Sequence, residues 1–129
     1  MTRPPAVVFL HGFLGSSGDW RDTIAHLSDG CYCIAIDLPG HGQTPCDLDT
    51  FDDVCDHIIE TVASLNCTDV VLVGYSMGGR LALNSVLRSP QSFRMLVLES
   101  ASPGLPSVEE REARRHHDER IAHELETRP

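Results

Sequence analysis

The chain has 129 residues, enough for one domain with its own core. Its formal net charge is −9, from nineteen acidic against ten basic residues, which argues against non-specific binding to nucleic acid. No apolar run approaches the ~20 residues that span a bilayer, and the start, Met1-Thr2-Arg3-Pro4-Pro5, lacks the long apolar core of a secretory signal, so a cytoplasmic location is expected.

Ala6 to Leu10 is a continuous apolar run ended by His11-Gly12. Asp19 to Leu27 carries Trp20, Ile24 and Leu27 at helical spacing. Cys31 to Asp37 is a second strand-like run, closed by Leu38-Pro39-Gly40. Within it Cys31 and Cys33 are assigned to opposite faces, which leaves one of them as a small buried filler. Five cysteines at scattered spacing, with no Cys-x-x-Cys pair, predict neither a disulfide framework nor a metal site. Thr50 to Leu65 reads as a helix, with Thr50 as N-cap and Asp52 and Asp53 in its first turn. Val70 to Gly74 is a third strand, Ser76 to Arg88 a helix stopped by Pro90, and Phe93 to Glu99 a fourth strand. Near-continuous β-branched runs indicate strands buried on both faces, hence a parallel sheet. The alternation of strand and helix specifies a doubly wound α/β fold. Beyond Pro103-Gly104-Leu105-Pro106, Ser107 to about Glu126 is a charged helix with a Ser107–Glu110 capping box. Its apolar content is thin, so it should be exposed or loosely docked.

Gly74-Tyr75-Ser76-Met77-Gly78-Gly79 is a Gly-x-Ser-x-Gly pattern that follows an apolar strand and opens a helix. That context is what a nucleophile elbow of the α/β-hydrolase fold requires. The glycines let strand and helix approach, and the helix N-terminus behind Ser76 favours developing negative charge. His11-Gly12-Phe13, after the first strand, stands where this fold places an oxyanion loop, so the backbone N–H groups of Phe13 and Met77 are the expected donors. If the strand order reverses between the first and third strands, both segments lie at a topological switch point. Asp37-Leu38-Pro39-Gly40-His41-Gly42 offers an Asp and a His, but it reads as a structural turn in which Asp37 bonds turn amides. His26, His57, His116, His117 and His123 fall on polar helical faces. The order in this fold is Ser, then acid, then His, after later strands. Only about thirty residues follow the fourth strand, so the triad Asp and His are expected to be absent and the sheet truncated after about four strands.

These segments, together with Leu10 to Ser16, Asp19-Trp20, Arg80 directly after Gly79, Glu99-Ser100-Ala101-Ser102-Pro103-Gly104-Leu105 and the run Glu110 to Arg115 with Asp118, resemble the 2-succinyl-6-hydroxy-2,4-cyclohexadiene-1-carboxylate synthases of menaquinone and phylloquinone biosynthesis. The resemblance covers about the first half of a family member. It implies that residues 1–129 are the N-terminal part of one α/β-hydrolase domain, with 106–129 the start of a helical lid. It also implies a lyase reaction without cofactor. Ser76, deprotonated by a His, would take a proton from an enolpyruvyl cyclohexene carboxylate, and pyruvate would leave. The partner is then a small polycarboxylate, whose carboxylates suit bidentate arginines. Arg80 and Arg114 are the candidates, with Arg111 and Arg115 as alternatives to the latter; Tyr75 and His11 are further candidates for the substrate pocket. Two other readings stay open: a serine esterase or C–C hydrolase sharing the elbow, and a non-catalytic half-domain. In each case the fourth strand offers an open apolar edge through which the chain could self-associate.

Overall fold

A computed structural model describes residues 5–27 and 29–128. Four strands, β1 (Ala6–Leu10), β2 (Tyr32–Ile36), β3 (Val70–Tyr75) and β4 (Met95–Glu99), form one parallel sheet in the order β2-β1-β3-β4. The order reverses between β1 and β3, which places the switch point between their carboxyl ends.

β1 is central and all five of its residues are buried. Alternation divides its side chains between two layers. Ala6, Val8 and Leu10 join Val70 and Leu72 against Cys55, Ile58 and Val62 of α2 (Phe51–Ser64) and Leu81 and Ala82 of α3 (Met77–Arg88). Val7 and Phe9 face the other way, onto Trp20 and Ile24, the latter from α1 (Arg21–Leu27). The rings of Phe9 and Trp20 lie 4.9 Å apart. Helices therefore cover both faces, as a doubly wound sheet demands.

The caps explain where the helices begin. Thr50 accepts a bond from the Asp53 N–H at 3.1 Å, and Asp52 and Asp53 stand at the positive end of α2. The stretch expected as a helix from Asp19 is in two parts. A 3-10 turn spans Ser17–Trp20 and only then does α1 begin. Ser16 and Asp19 cap each other's backbone, which tightens this turn before the α geometry starts. α4 (Val108–Thr127) carries the Ser107–Glu110 capping box, and none of its residues is buried.

Cys31 and Cys33 correct the opposite-face assignment. Both pack beside the Val7–Phe9–Trp20 cluster, because residues two apart on a strand share a face. Burial, with Cys31 alongside, raises the Cys33 thiol above its ordinary value. The fully buried cysteine is Cys55, on α2.

On that same face the register aligns two apolar rows: Cys33–Val7–Val71–Met95 and Ala35–Phe9–Val73–Val97. Exposure climbs along them, from 8% at Val7 to 55% at Met95 and from 1% at Phe9 to 42% at Val97. The β4 flank is thus apolar and open among the described residues.

Candidate active site

Ser76 lies between the last residue of β3 and the first of α3, with φ 52° and ψ −115°. This backbone is costly for a residue with a Cβ, on the order of 1–3 kcal/mol, and persists only where its surroundings enforce it. They do so here. The Ser76 N–H donates to the Glu99 carbonyl at the end of β4 at 2.9 Å. The Ser76 carbonyl in turn accepts from Gly79 and Arg80 at 3.0 and 3.2 Å. The hydroxyl makes no hydrogen bond to any described residue. Close approach beneath it needs glycine: a Cβ on Gly78 would overlap the backbone oxygens of His11 and Leu10.

The loop after β1 stands against the elbow. A Cβ built on Gly12 would lie 3.5 Å from the Ser76 Cβ and 3.0 Å from the Tyr75 ring. The loop turns tightly, with the Gly15 N–H donating to the Gly12 carbonyl at 3.0 Å and Leu14 at φ 61°. Phe13 and Leu14 in this loop, and Tyr75 before Ser76, expose apolar side chains. Met77, the first residue of α3, is half-buried against the core beneath α2 and α3.

Two histidines tie this loop to the 37–44 turn. His11 is 1% exposed. Its Nε2 accepts from the Leu38 N–H at 3.0 Å, so the proton resides on Nδ1, which donates to the Gly12 carbonyl at 2.7 Å. Both ring nitrogens of this pocket candidate are consumed by backbone, and its side chain is an internal strut. His41 is held similarly: Nε2 accepts from Leu14 N–H at 3.1 Å and Nδ1 donates to the Pro39 carbonyl at 3.2 Å. Asp37 accepts from the Ser17 N–H at 2.7 Å and the Gln43 N–H at 3.2 Å. Those amides, Ser17 first, hold its carboxyl below the usual carboxylate range. Gly42 crosses directly over this carboxylate at φ 53°, space and backbone that a side chain would deny.

Arg80 lies one turn beyond Ser76 on α3 and lines a cleft of about 380 Å³. Leu83, Asn84 and Leu87 continue its stripe, with Phe51 and Pro103-Gly104 as the opposite wall. Arg80 forms no ion pair with a described residue. Ser76, Phe13 and Tyr75 are not part of that cleft's lining. Arg114 stands on exposed α4 and pairs with Asp118 at 2.9 Å, away from any cleft described here. Arg111 donates to the Leu105 carbonyl at 2.9 Å and steadies the start of α4. Asn84 and Phe51 were not singled out from sequence. Asn84 had a signal, four residues after Arg80 on one helix face; Phe51 reaches the cleft from a different element and had none.

No group of three or more metal-ligating side chains occurs among the described residues, and no helix among them is long and apolar enough to cross a membrane. The model of the alpha/beta hydrolase fold family matches residues 5–127. The chain belongs to the α/β-hydrolase fold family. Among curated relatives, the 2-succinyl-6-hydroxy-2,4-cyclohexadiene-1-carboxylate synthase of Escherichia coli O1:K1 / APEC is 36% identical over 126 residues, covering 97% of this chain and 50% of the relative. The same enzyme of Shigella boydii serotype 4 matches at the same identity and coverage. Among solved structures, MenH from S. aureus superposes with a TM-score of 0.88 at 34% identity, covering 95% of this chain and 47% of that one. A marine microorganism esterase superposes at 0.81 with 25% identity, covering 100% of this chain and 49% of that one. The synthase resemblance read from the motifs is thus carried by sequence and structure together. The chain spans about half the length of the curated relatives it matches.

Proposed function

We propose that these residues serve the reaction of the synthases they resemble: cofactor-free elimination of pyruvate from an enolpyruvyl cyclohexene carboxylate in menaquinone or phylloquinone biosynthesis. The observation that carries this reading is Ser76, strained at the strand-to-helix turn against the His11–Gly15 loop, with an arginine that has no ion pair among the described residues one turn along the same helix. In the reaction Ser76 Oγ, relieved of its proton by a histidine, removes a carbon-bound proton from the ring. The electron pair forms the new ring double bond, the C–O bond breaks, and the enolpyruvate that leaves becomes pyruvate on protonation. The Phe13 and Met77 N–H groups stabilise the negative charge that develops on the substrate oxygen. Arg80 binds a carboxylate, with Tyr75 beside the ring.

The assay that tests this offers the intact protein the enolpyruvyl substrate and, separately, short acyl esters. Pyruvate release without ester cleavage is expected; ester cleavage with a burst of acylated Ser76 favours the esterase, a reading that the superposition on the marine esterase supports. Arg80→Ala should lower kcat/KM for the multi-carboxylate substrate by about 10- to 150-fold, the worth of a charge-assisted bond of roughly 1.5–3 kcal/mol. Unchanged kinetics would remove the carboxylate-binding role. For Arg114 the proposal requires the 106–129 segment to act as a lid that brings α4 to the site; its pairing with Asp118 is then exchanged for substrate.

Residues 1–129 by themselves are proposed to be inactive. Of their seven histidines, His11 and His41 spend both ring nitrogens on backbone, and the others lie on α1, α2 and α4 with no bond to Ser76. A serine without a positioned base is a weak nucleophile and a weak base. Through the open β4 flank, residues 1–129 should also self-associate. Light scattering that returns a monomer at high concentration would count against that. The proposal places the reaction in the cytoplasm, with no nucleic-acid partner.

A further inference from the structure

We propose that His41 is a positioning residue for the oxyanion site: it fixes the loop after β1, through Leu14, so that the Phe13 N–H is presented to the substrate oxygen at Ser76. The inference rests on the reading of Ser76 and Phe13 given above, and it concerns a histidine to which that mechanism gives no role. Three contacts converge on the His41 ring. Nε2 accepts the Leu14 N–H at 3.1 Å, the Phe13 ring meets it edge-on with centroids 6.2 Å apart, and the His11 ring lies 5.0 Å away. The far nitrogen is anchored to the Pro39 carbonyl. His41 therefore clamps residues 13 and 14 to the 37–44 turn.

The clamp is needed because the loop is unfavourable alone. Leu14 is a γ-branched residue at φ 61° and 64% exposed, and a loop so exposed has little packing to hold it. The Leu14 amide is adjacent to Phe13, so fixing it fixes the peptide plane next to the expected donor. Two chain-distant supports, Leu38 N–H on His11 and Leu14 N–H on His41, then tie this loop to the 37–44 turn. An oxyanion donor acts only if it is already in place when charge develops, and a displacement of about 1 Å can cost about 100-fold in rate.

The test compares His41→Leu, which removes the acceptor and keeps apolar bulk, with His41→Gln, whose side-chain oxygen reaches close to the Nε2 position. In the intact protein, His41→Leu should lower kcat about 100-fold with KM changed less than about threefold, and His41→Gln should recover most of it. Amide hydrogen exchange at Leu14 should quicken at least about tenfold in His41→Leu alone. A loss of kcat equal in the two variants, a loss confined to KM, or unchanged kcat in His41→Leu would overturn the proposal. Ser76→Ala measured alongside separates the cases. If it leaves turnover intact, the site reading fails; if it abolishes turnover while His41→Leu does not, only the clamp fails.

Discussion

Ser76→Ala is expected to reduce turnover of the intact protein by roughly 10²–10⁴-fold, the usual contribution of a positioned proton acceptor, and by more if Ser76 forms a covalent intermediate. Binding should survive, because the substitution removes one hydroxyl that bonds nothing among the described residues. KM should therefore change little while kcat falls, the signature of an interaction made only in the transition state. Residual turnover above the uncatalysed rate should remain if the proposed oxyanion donors, Phe13 and Met77, are in place. The variant should also be no less stable than the parent. Alanine at φ 52° is strained much as serine is, and the Ser76 N–H and carbonyl bonds belong to the backbone. Steady-state kinetics together with a thermal melt check both halves. A variant that keeps its rate would take the serine out of the chemistry.

Gly78→Ala is expected to be strongly destabilising. Its Cβ would enter the space of the His11 and Leu10 backbone oxygens at the carboxyl end of β1. Backbone at the centre of a parallel sheet cannot rotate aside as a side chain does. The cost should reach the upper part of the overpacking range, about 3 kcal/mol or more, and lower Tm by roughly 10 °C. Gly30→Ala is the control: no described residue lies within 4 Å of its added Cβ, and its φ lies outside the left-handed region. Coincident melts for Gly78→Ala and the parent would mean that β1 and α3 are less closely apposed than described.

The parts of the molecule that could be read from sequence are those set by neighbours in the chain. The four strands are legible because strands of a parallel sheet carry apolar side chains on both faces and so read as unbroken apolar runs, β4 included, although its residues are largely exposed here. Thr50 and Ser107 announce their helices because a cap is satisfied within three residues. The place of Ser76, between β3 and α3, follows from glycines flanking it at the end of an apolar strand. The cysteine assignment failed on a simple period: two residues along a strand return to the same face. The breakdown of the Asp19 helix into a 3-10 turn and α1 lay in Ser16 and Asp19, whose reciprocal capping signature precedes the periodic residues.

What depends on distant partners was not legible. His11 reads as a pocket residue next to a glycine, yet its Nε2 is claimed by Leu38, 27 positions away. His41 reads as a turn residue, and its bond to Leu14 spans the same separation. The cleft beside Arg80 exists only because Phe51 and Pro103-Gly104 arrive from other elements. A helix stripe names the cation but says nothing of the wall that faces it.

The central place of β1 in the sheet has a consequence for how the chain comes into being. β1 is the earliest of the four described strands to leave the ribosome, and the two strands that flank it begin at Tyr32 and Val70. Until β3 has been synthesised, one edge of Ala6–Leu10 has no partner, and α2, which covers its buried side, has nothing complete to rest on. Non-local pairing of this kind folds slowly, because loop closure must precede any gain. Until β3 is made, the nascent chain carries a short, uncharged, apolar segment with one edge open. That is the form in which aggregation and chaperone capture compete with folding.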